Sequence, residues 1–167
     1  MFELVTMRRS TRACNDHEQV LNAFNDACEM TMALKDEPYP YAVTVNYAPV
    51  VKDNELYLVF HGAKAGRKFE LLHRDPHCAF TITLRTQVVI KELPHKSTNF
   101  FRSICGEGTM LFLEGEAAQE AIVALMAHHG YDQDLEQLKR DVVPHLKATQ
   151  MFALKVERAG LKEIVPH

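Results

Sequence analysis

The strand-like segments of this chain follow one another mostly without a helix between them, and this order restricts the fold more than any other feature. Residues 28–34 alternate between apolar and polar, and residues 41–50 and 55–60 are rich in β-branched and aromatic side chains. Short polar turns at 35–38 and 52–54 separate the three segments. Folds built from βαβ units need a helix after each strand, so the pattern favours an antiparallel barrel with helices packed outside it.

Several further elements are predicted from local signals. Asp16 can cap a helix in which Gln19 takes the reciprocal position of the capping box. Other helices are predicted over 67–74, 117–129 and 134–143, and other strands over 77–84, 100–113 and 152–156. Gly106 and Gly108 suggest a bulge or a close backbone approach. Residues 85–99 carry mixed signals and are interpreted as a partly ordered excursion.

Length and charge limit the class of protein. With 167 residues and no linker-like stretch, the chain is expected to form a single domain over 1–167, with residues 1–15 as an N-terminal arm. The net charge of −3 does not suggest nucleic acid or an anionic membrane as a partner. No apolar run approaches the roughly 18 residues that span a bilayer. The charged N-terminus is unlike a secretory signal, and the four cysteines are scattered, so we expect a cytoplasmic protein.

A cationic loop is the most informative chemical feature. From His61 to Arg74 the chain carries four lysine and arginine residues against one glutamate, and Gly62 and Gly66 lie among them. The start of a helix presents backbone amides and the positive end of its dipole, so such a junction suits a phosphate group. Three residues separate the two glycines, so this is not a Walker loop. The alternative interpretation is a solvated basic turn.

Several segments, taken in order, resemble a known superfamily. They are Met7-Arg8-Arg9-x-x-Arg12, the run from Tyr39 to Tyr47, Leu56 to Gly62, Gly66-Arg67-Lys68, and Phe101 to Ile104 followed by Gly-x-Gly. In this order they resemble the FMN-binding split barrels related to pyridoxamine 5′-phosphate oxidase, and are most similar in pattern to the nitroimidazole-resistance (Nim) flavoproteins. The resemblance implies an α+β fold dominated by antiparallel β-structure, a Greek-key split β-barrel of about six strands with peripheral helices.

The resemblance also implies a site. It implies a homodimer with FMN at the subunit interface, in which Arg67 and Lys68 grip the flavin phosphate. Ser103 would approach the flavin from a later strand. The other positions that it assigns to the cofactor are Tyr41, Val43, Thr44, Val45, Asn46, His61, Gly62, Lys64 and Gly66.

His61 is the candidate catalytic residue. It ends a strand beside the proposed loop, and an imidazole can donate a proton near neutral pH. The alternative is a strand-end histidine bonded to backbone. We expect no metal site, because Pro76 interrupts the His73/His77 spacing and the adjacent His128 and His129 point apart.

The leading functional hypothesis is an FMN-dependent oxidoreductase. It would pass electrons from a nicotinamide donor to a small organic acceptor such as a nitroaromatic compound. Two alternatives stay open: a flavin carrier or sensor without turnover, and a split barrel that binds haem or a deazaflavin instead of FMN. Pyridoxamine phosphate oxidation itself is disfavoured, because the chain has no tryptophan.

Overall fold

The computed structural model describes residues 1–165, apart from the side chains of Arg85 and His145. Four α-helices lie within this range: α1 His17–Ala23, α2 Arg67–Arg74, α3 Gly115–His128 and α4 Leu135–Val142. The strands in the same range are β1 Glu3–Leu4, β2 Ala13–Cys14, β3 Glu29–Leu34, β4 Tyr41–Asn46, β5 Ala48–Lys52, β6 Glu55–Ala63, β7 His77–Val89, β8 Thr98–Leu113 and β9 Thr149–Ile164. None of the helices described here has the length and apolar composition needed to cross a membrane.

One sheet with the order β4-β3-β7-β8-β9-β6-β5 forms the body of the protein. All neighbours along this path are antiparallel, and β1 and β2 pair with β9. The strands at its two ends, β4 and β5, are consecutive in the chain and separated by Tyr47 alone. The sheet must therefore curl until its ends approach each other, and this confirms the expected split barrel with peripheral helices.

Tyr47 fixes the corner between β4 and β5. Its side chain is completely buried, and its hydroxyl donates a hydrogen bond of 2.7 Å to the Phe24 carbonyl oxygen. Its backbone amide donates to the Cys28 carbonyl oxygen at 2.9 Å. The prediction of one strand over 41–50 is therefore wrong in one respect, because the segment turns at Tyr47 and its halves pair with different neighbours.

Two hydrophobic layers hold the barrel. Inside it, alternate residues of the strands meet, with members such as Leu58, Phe60 and Leu154 fully buried. Outside it, α3 packs Ala121 and Leu125 on the outer faces of β5, β6 and β9. The outer faces of β3, β4, β7 and β8 keep small and mostly exposed side chains: Ala33, Ala42, Thr44, Ala79, Thr81, Thr83 and Cys105. This flat face is called the small-residue face below.

Local signals were reliable for turns and caps. Asp16 accepts hydrogen bonds from the amides of Glu18 and Gln19, as the capping-box pattern predicts. The β5–β6 hairpin turns at Asp53 and Asn54, whose φ angles are 51° and 63°, as a two-residue hairpin of primed type requires.

The observed strand bounds differ from the predicted ones where a strand pairs with partners distant in the sequence. The last strand, predicted over 152–156, spans 149–164 because it pairs with β8 on one side and β6 on the other. Strands β7 and β8 extend to Val89 and from Thr98, so the predicted excursion over 85–99 shrinks to a hairpin tip. The register of β8 shifts between Glu107 and Gly108, which confirms the bulge.

Candidate functional site

The candidate loop connects β6 to α2. Gly66 precedes the helix with a φ of 95°, which glycine adopts at little cost, and no side chain caps the helix there. The amides of the first turn of α2 therefore lack a side-chain acceptor and point toward the loop. Lys64 is exposed within it. The structure thus places an uncapped helix start at the predicted loop, and such a start can accept an anion.

Lys68 is the most unusual charge in this region. Its side chain is half-buried, and its Nζ atom lies 5.3 Å from the ring centroid of Phe60 and 5.7 Å from that of Phe152. Burial lowers its pKa, and no carboxylate within residues 1–165 forms an ion pair with it. A desolvated ammonium that lacks a counter-ion attracts an anion more strongly than a fully hydrated one.

Gly62 makes room for this ammonium. A Cβ atom at position 62 would lie 2.9 Å from Lys68 Nζ and 3.3 Å from a Phe152 ring carbon. Any larger residue would push the lysine out of its place over the aromatic rings. The glycine and the lysine of the predicted loop therefore form one structural unit.

Arg67 is held differently from its neighbour. Its Nη2 and Nε atoms donate to Asp36 Oδ2 at 2.6 and 2.9 Å, and its guanidinium lies 4.8 Å from the Tyr41 ring centroid. Arg74 also donates to Asp36, at 3.2 Å. Hydrogen bonds from Arg67, from the Glu37 amide and from Arg74 hold the pKa of Asp36 below its usual value. Part of the Arg67 charge is thus offset by a carboxylate that the sequence suggested only as a turn residue.

The residues predicted along β4 separate onto two faces. Tyr41, Val43 and Val45 point into the barrel and pack against its core. Thr44 and Asn46 point outward and are exposed. The Thr44 hydroxyl lies 3.0 Å from that of Thr31 on the neighbouring strand. Because side chains alternate along a strand, a ligand on the outer face can meet the side chains of only the second group.

His61 projects from the outer face of β6. Partial burial and the nearby charge of Lys68 lower its pKa, with burial the larger cause. The imidazole is therefore mainly neutral at pH 7. Its ring makes no hydrogen bond to the part of the chain that the structure describes, so the backbone-bonded alternative lacks support.

Ser103 lies apart from the loop. It projects from the outer face of β8, opposite Thr83 and Lys162, and lines a groove formed with the N-terminal arm. The structure of this chain therefore groups His61, Gly62, Lys64, Gly66, Arg67 and Lys68, but not Ser103.

An aromatic cluster behind Lys68 could not be identified from the sequence. Phe60 and Phe152 stack with centroids 4.9 Å apart, and Phe112 lies 5.2 Å from Phe152. Phe69 and His73 contact the same Phe112 ring at 5.9 and 4.1 Å. These residues come from four separate elements, and only the curled sheet with α2 packed at its end brings them together.

The histidines of the other two pairs contact groups of the chain itself. The Nε2 atom of His128 lies 2.8 Å from the Ala27 carbonyl oxygen, and its ring lies 5.9 Å from that of Tyr47. His77 contacts Asp75 at 2.7 Å. Among the described residues there is no group of three or more histidine, cysteine or acidic side chains that could hold a metal ion.

Comparison with known proteins gives a consistent picture of the fold. A family model described as pyridoxamine 5′-phosphate oxidase matches residues 16–163. No curated protein matches the chain.

Several solved structures share its architecture. A candidate 5-nitroimidazole antibiotic resistance protein from Bacteroides thetaiotaomicron is 22% identical, with 90% of this chain and 85% of that chain covered and a TM-score of 0.71. A flavocytochrome from Azotobacter vinelandii is 18% identical, with 96% and 73% covered and a TM-score of 0.71. An FAD and heme binding protein from Mycobacterium smegmatis is 18% identical, with 93% and 74% covered and the same TM-score of 0.71. At these identities the likeness concerns the fold.

Proposed function

The chain belongs to the pyridoxamine 5′-phosphate oxidase family, and from this premise we propose that it is an FMN-binding oxidoreductase. The observation that carries the proposal is the half-buried Lys68 ammonium, which lies beside Gly62 and the uncapped start of α2 without a carboxylate partner in the described chain. Burying a charge without a partner is costly, so a protein that retains one gains something from it when a ligand binds.

The loop residues fit the phosphate end of FMN. Lys68 supplies a partly desolvated positive charge, and the first amides of α2 supply neutral donors along the helix dipole. Arg67 donates one N–H each from Nε and Nη2 to Asp36, so the two N–H groups of Nη1 and the second N–H of Nη2 are left for a phosphate oxygen. Lys64 is exposed and can contribute its charge from the solvent side.

The adjacent strand fits the ring end. Thr44 and Asn46 present a hydroxyl and an amide on the outer face of β4, and such groups can pair with the polar edge of an isoalloxazine ring. Tyr41, Val43 and Val45 shape the strand from inside, so we assign them a supporting role. When bound, the flavin supplies two-electron chemistry that no side chain offers.

We propose that His61 transfers a proton to the acceptor. As a mainly neutral imidazole beside Lys68, it can take up a proton from water and pass it to a reduced acceptor. The reaction that we propose transfers electrons from a nicotinamide donor to a small organic acceptor, with nitroaromatic compounds as the class to test. The nitroimidazole-resistance description of the Bacteroides structure supports this choice of acceptor.

A homodimer would complete the site. The small-residue face, which includes Thr44, lacks a covering helix in the described chain, so a second copy can pack there with a flavin between the two. Ser103 lies on the same side of the sheet, and we propose that it contacts the flavin bound to the other copy. This would explain why Ser103 and Lys68 are far apart in one subunit.

Absorbance spectroscopy of the purified protein tests the proposal directly. We expect flavin bands, stoichiometric FMN after denaturation, and anaerobic bleaching by a nicotinamide donor followed by recovery with a nitroaromatic. Flavin bands without bleaching would indicate a carrier or sensor. A Soret band would indicate haem, which two of the similar structures are described as binding, and a deazaflavin spectrum would likewise contradict FMN.

A further inference from the structure

The N-terminal arm forms one wall of a second groove. Pairing of β1 with Arg158 and Ala159 fixes the arm at one end, and pairing of β2 with Leu161 and Lys162 fixes it at the other. Residues 5–12 lie across β9 between these two attachments. The groove has a volume of about 480 Å³ and is lined by Met7, Arg8, Arg9, Arg12, Ser103, Cys105 and Lys162.

Gly160 allows the arm to lie this close to the sheet. A Cβ atom at that position would lie 2.7 Å from Met7 Cε and 3.3 Å from Val5 Cβ. The Val5 amide donates to the Ala159 carbonyl oxygen at 2.9 Å. The backbone of the arm is therefore held against the sheet. A ligand that binds the arm's arginines does not have to order a flexible tail first.

The groove concentrates positive charge. It contains three arginines and one lysine, no carboxylate is among its lining residues, and none of these four cations forms an ion pair in the described structure. Nearby acids are already engaged, since Glu163 accepts from Arg102 at 2.9 Å and Glu107 from Arg158 at 2.8 Å. Lys162 Nζ lies 5.6 Å from the Phe101 ring centroid, but none of the four cations has a carboxylate partner in the described structure. In a protein of net charge −3, four cations without a carboxylate partner around one groove indicate a site for an anion.

We propose that this groove binds the diphosphate group of a nucleotide-sized ligand. Guanidinium groups pair with phosphate oxygens through two parallel hydrogen bonds, and the Lys162 ammonium in the lining adds a further charged donor. Four cations exceed what a single phosphate needs but match a diphosphate ester. The volume lies within the range of roughly 300–1,000 Å³ that is usual for small-molecule sites.

Strand register places the groove on the small-residue face. Thr44, Thr31, Thr81 and Cys105 are directly opposite one another on β4, β3, β7 and β8. Neighbouring strands lie about 4.8 Å apart, so the groove begins about 14 Å from Thr44 along the sheet. An elongated dinucleotide can span such a distance, and this connects the groove, through the proposed function, to the nicotinamide donor. Binding of the diphosphate does not itself require the flavin.

Calorimetric titration with ADP and inorganic pyrophosphate tests the proposal. The test variant carries Arg8→Gln, Arg9→Gln and Arg12→Gln, and the control carries Lys91→Gln, Lys96→Gln and Arg140→Gln, which remove the same charge at exposed positions elsewhere. We expect the dissociation constant of ADP to rise on the order of a hundredfold in the test variant and to change little in the control, because charge-assisted contacts are lost only in the groove.

One further measurement separates this groove from the flavin site. A Lys68→Met variant should keep its ADP affinity even where it loses FMN, so failure of the flavin proposal is distinguishable. Equal ADP affinity in wild type and the arginine variant, or loss of ADP binding only in Lys68→Met, would each overturn the inference.

Discussion

Replacing Lys68 with methionine should weaken FMN binding without weakening the fold. Methionine keeps the length of the side chain and its contact with Phe60 and Phe152, but it removes the ammonium. Loss of a charge-assisted hydrogen bond of about 1.5–3 kcal/mol corresponds to a rise in the dissociation constant of roughly ten- to hundredfold. Burial lowers the pKa of Lys68, which means that the charged form is disfavoured in the absence of a ligand. The apo variant should therefore be at least as stable as wild type.

Titration of the apoprotein with FMN, followed by quenching of flavin fluorescence, measures the affinity, and urea unfolding measures the stability. Lys91→Met is the control, since it removes a lysine charge at an exposed position outside the loop. Arg67→Gln should have an intermediate effect, because Asp36 already offsets part of the arginine charge. An FMN dissociation constant within threefold of wild type in Lys68→Met, or a less stable apo variant, would refute the reasoning.

Four further predictions test separate parts of the structure. The pKa of His61, followed by NMR titration, should rise in Lys68→Met because a nearby positive charge is removed; an unchanged pKa would separate the two groups. His61→Gln should slow anaerobic reoxidation of the reduced flavin by a nitroaromatic by on the order of 10²–10⁴-fold at equal FMN occupancy, and equal rates would exclude a proton-donor role. Tyr47→Phe should cost about 1–3 kcal/mol of unfolding free energy in urea, since a buried carbonyl loses its donor. Gly108→Ala should cost about 1–3 kcal/mol, since the added Cβ would overlap the Lys155 carbonyl oxygen; unchanged midpoints would contradict both estimates.

The sequence predicted what depends on neighbouring residues. The Asp16 cap, the hairpin turn at Asp53 and Asn54, and the helix from Arg67 to Arg74 all rest on contacts within a few positions. The resemblance drawn from the ordered motifs is confirmed at the level of the family. The predicted roles of the individual site residues stay predictions.

Features that depend on the tertiary packing of the split barrel could not be predicted. One strand of ten residues has the same sequence pattern as two shorter strands separated by a buried tyrosine. The sequence therefore did not predict the corner at Tyr47. The pairing of Arg67 with Asp36 joins residues 31 positions apart, and Asp36 carried only turn signals. Strand alternation places Thr44 on the opposite face of β4 from Val43 and Val45. Which face of the sheet stays open to a ligand depends on where α3 packs, and the sequence does not show this.

The central place of β9 has a consequence for how the protein is made. Before residues 149–164 are synthesised, β4-β3-β7-β8 and β5-β6 are separate sheets, and β8 and β6 each present an unpaired edge. Unpaired edges are templates for pairing with other chains. Between completion of β8 at Leu113 and synthesis of β9, the nascent chain therefore carries two unpaired strand edges that its own last strand later covers. Chaperone engagement on the ribosome should persist until that strand emerges.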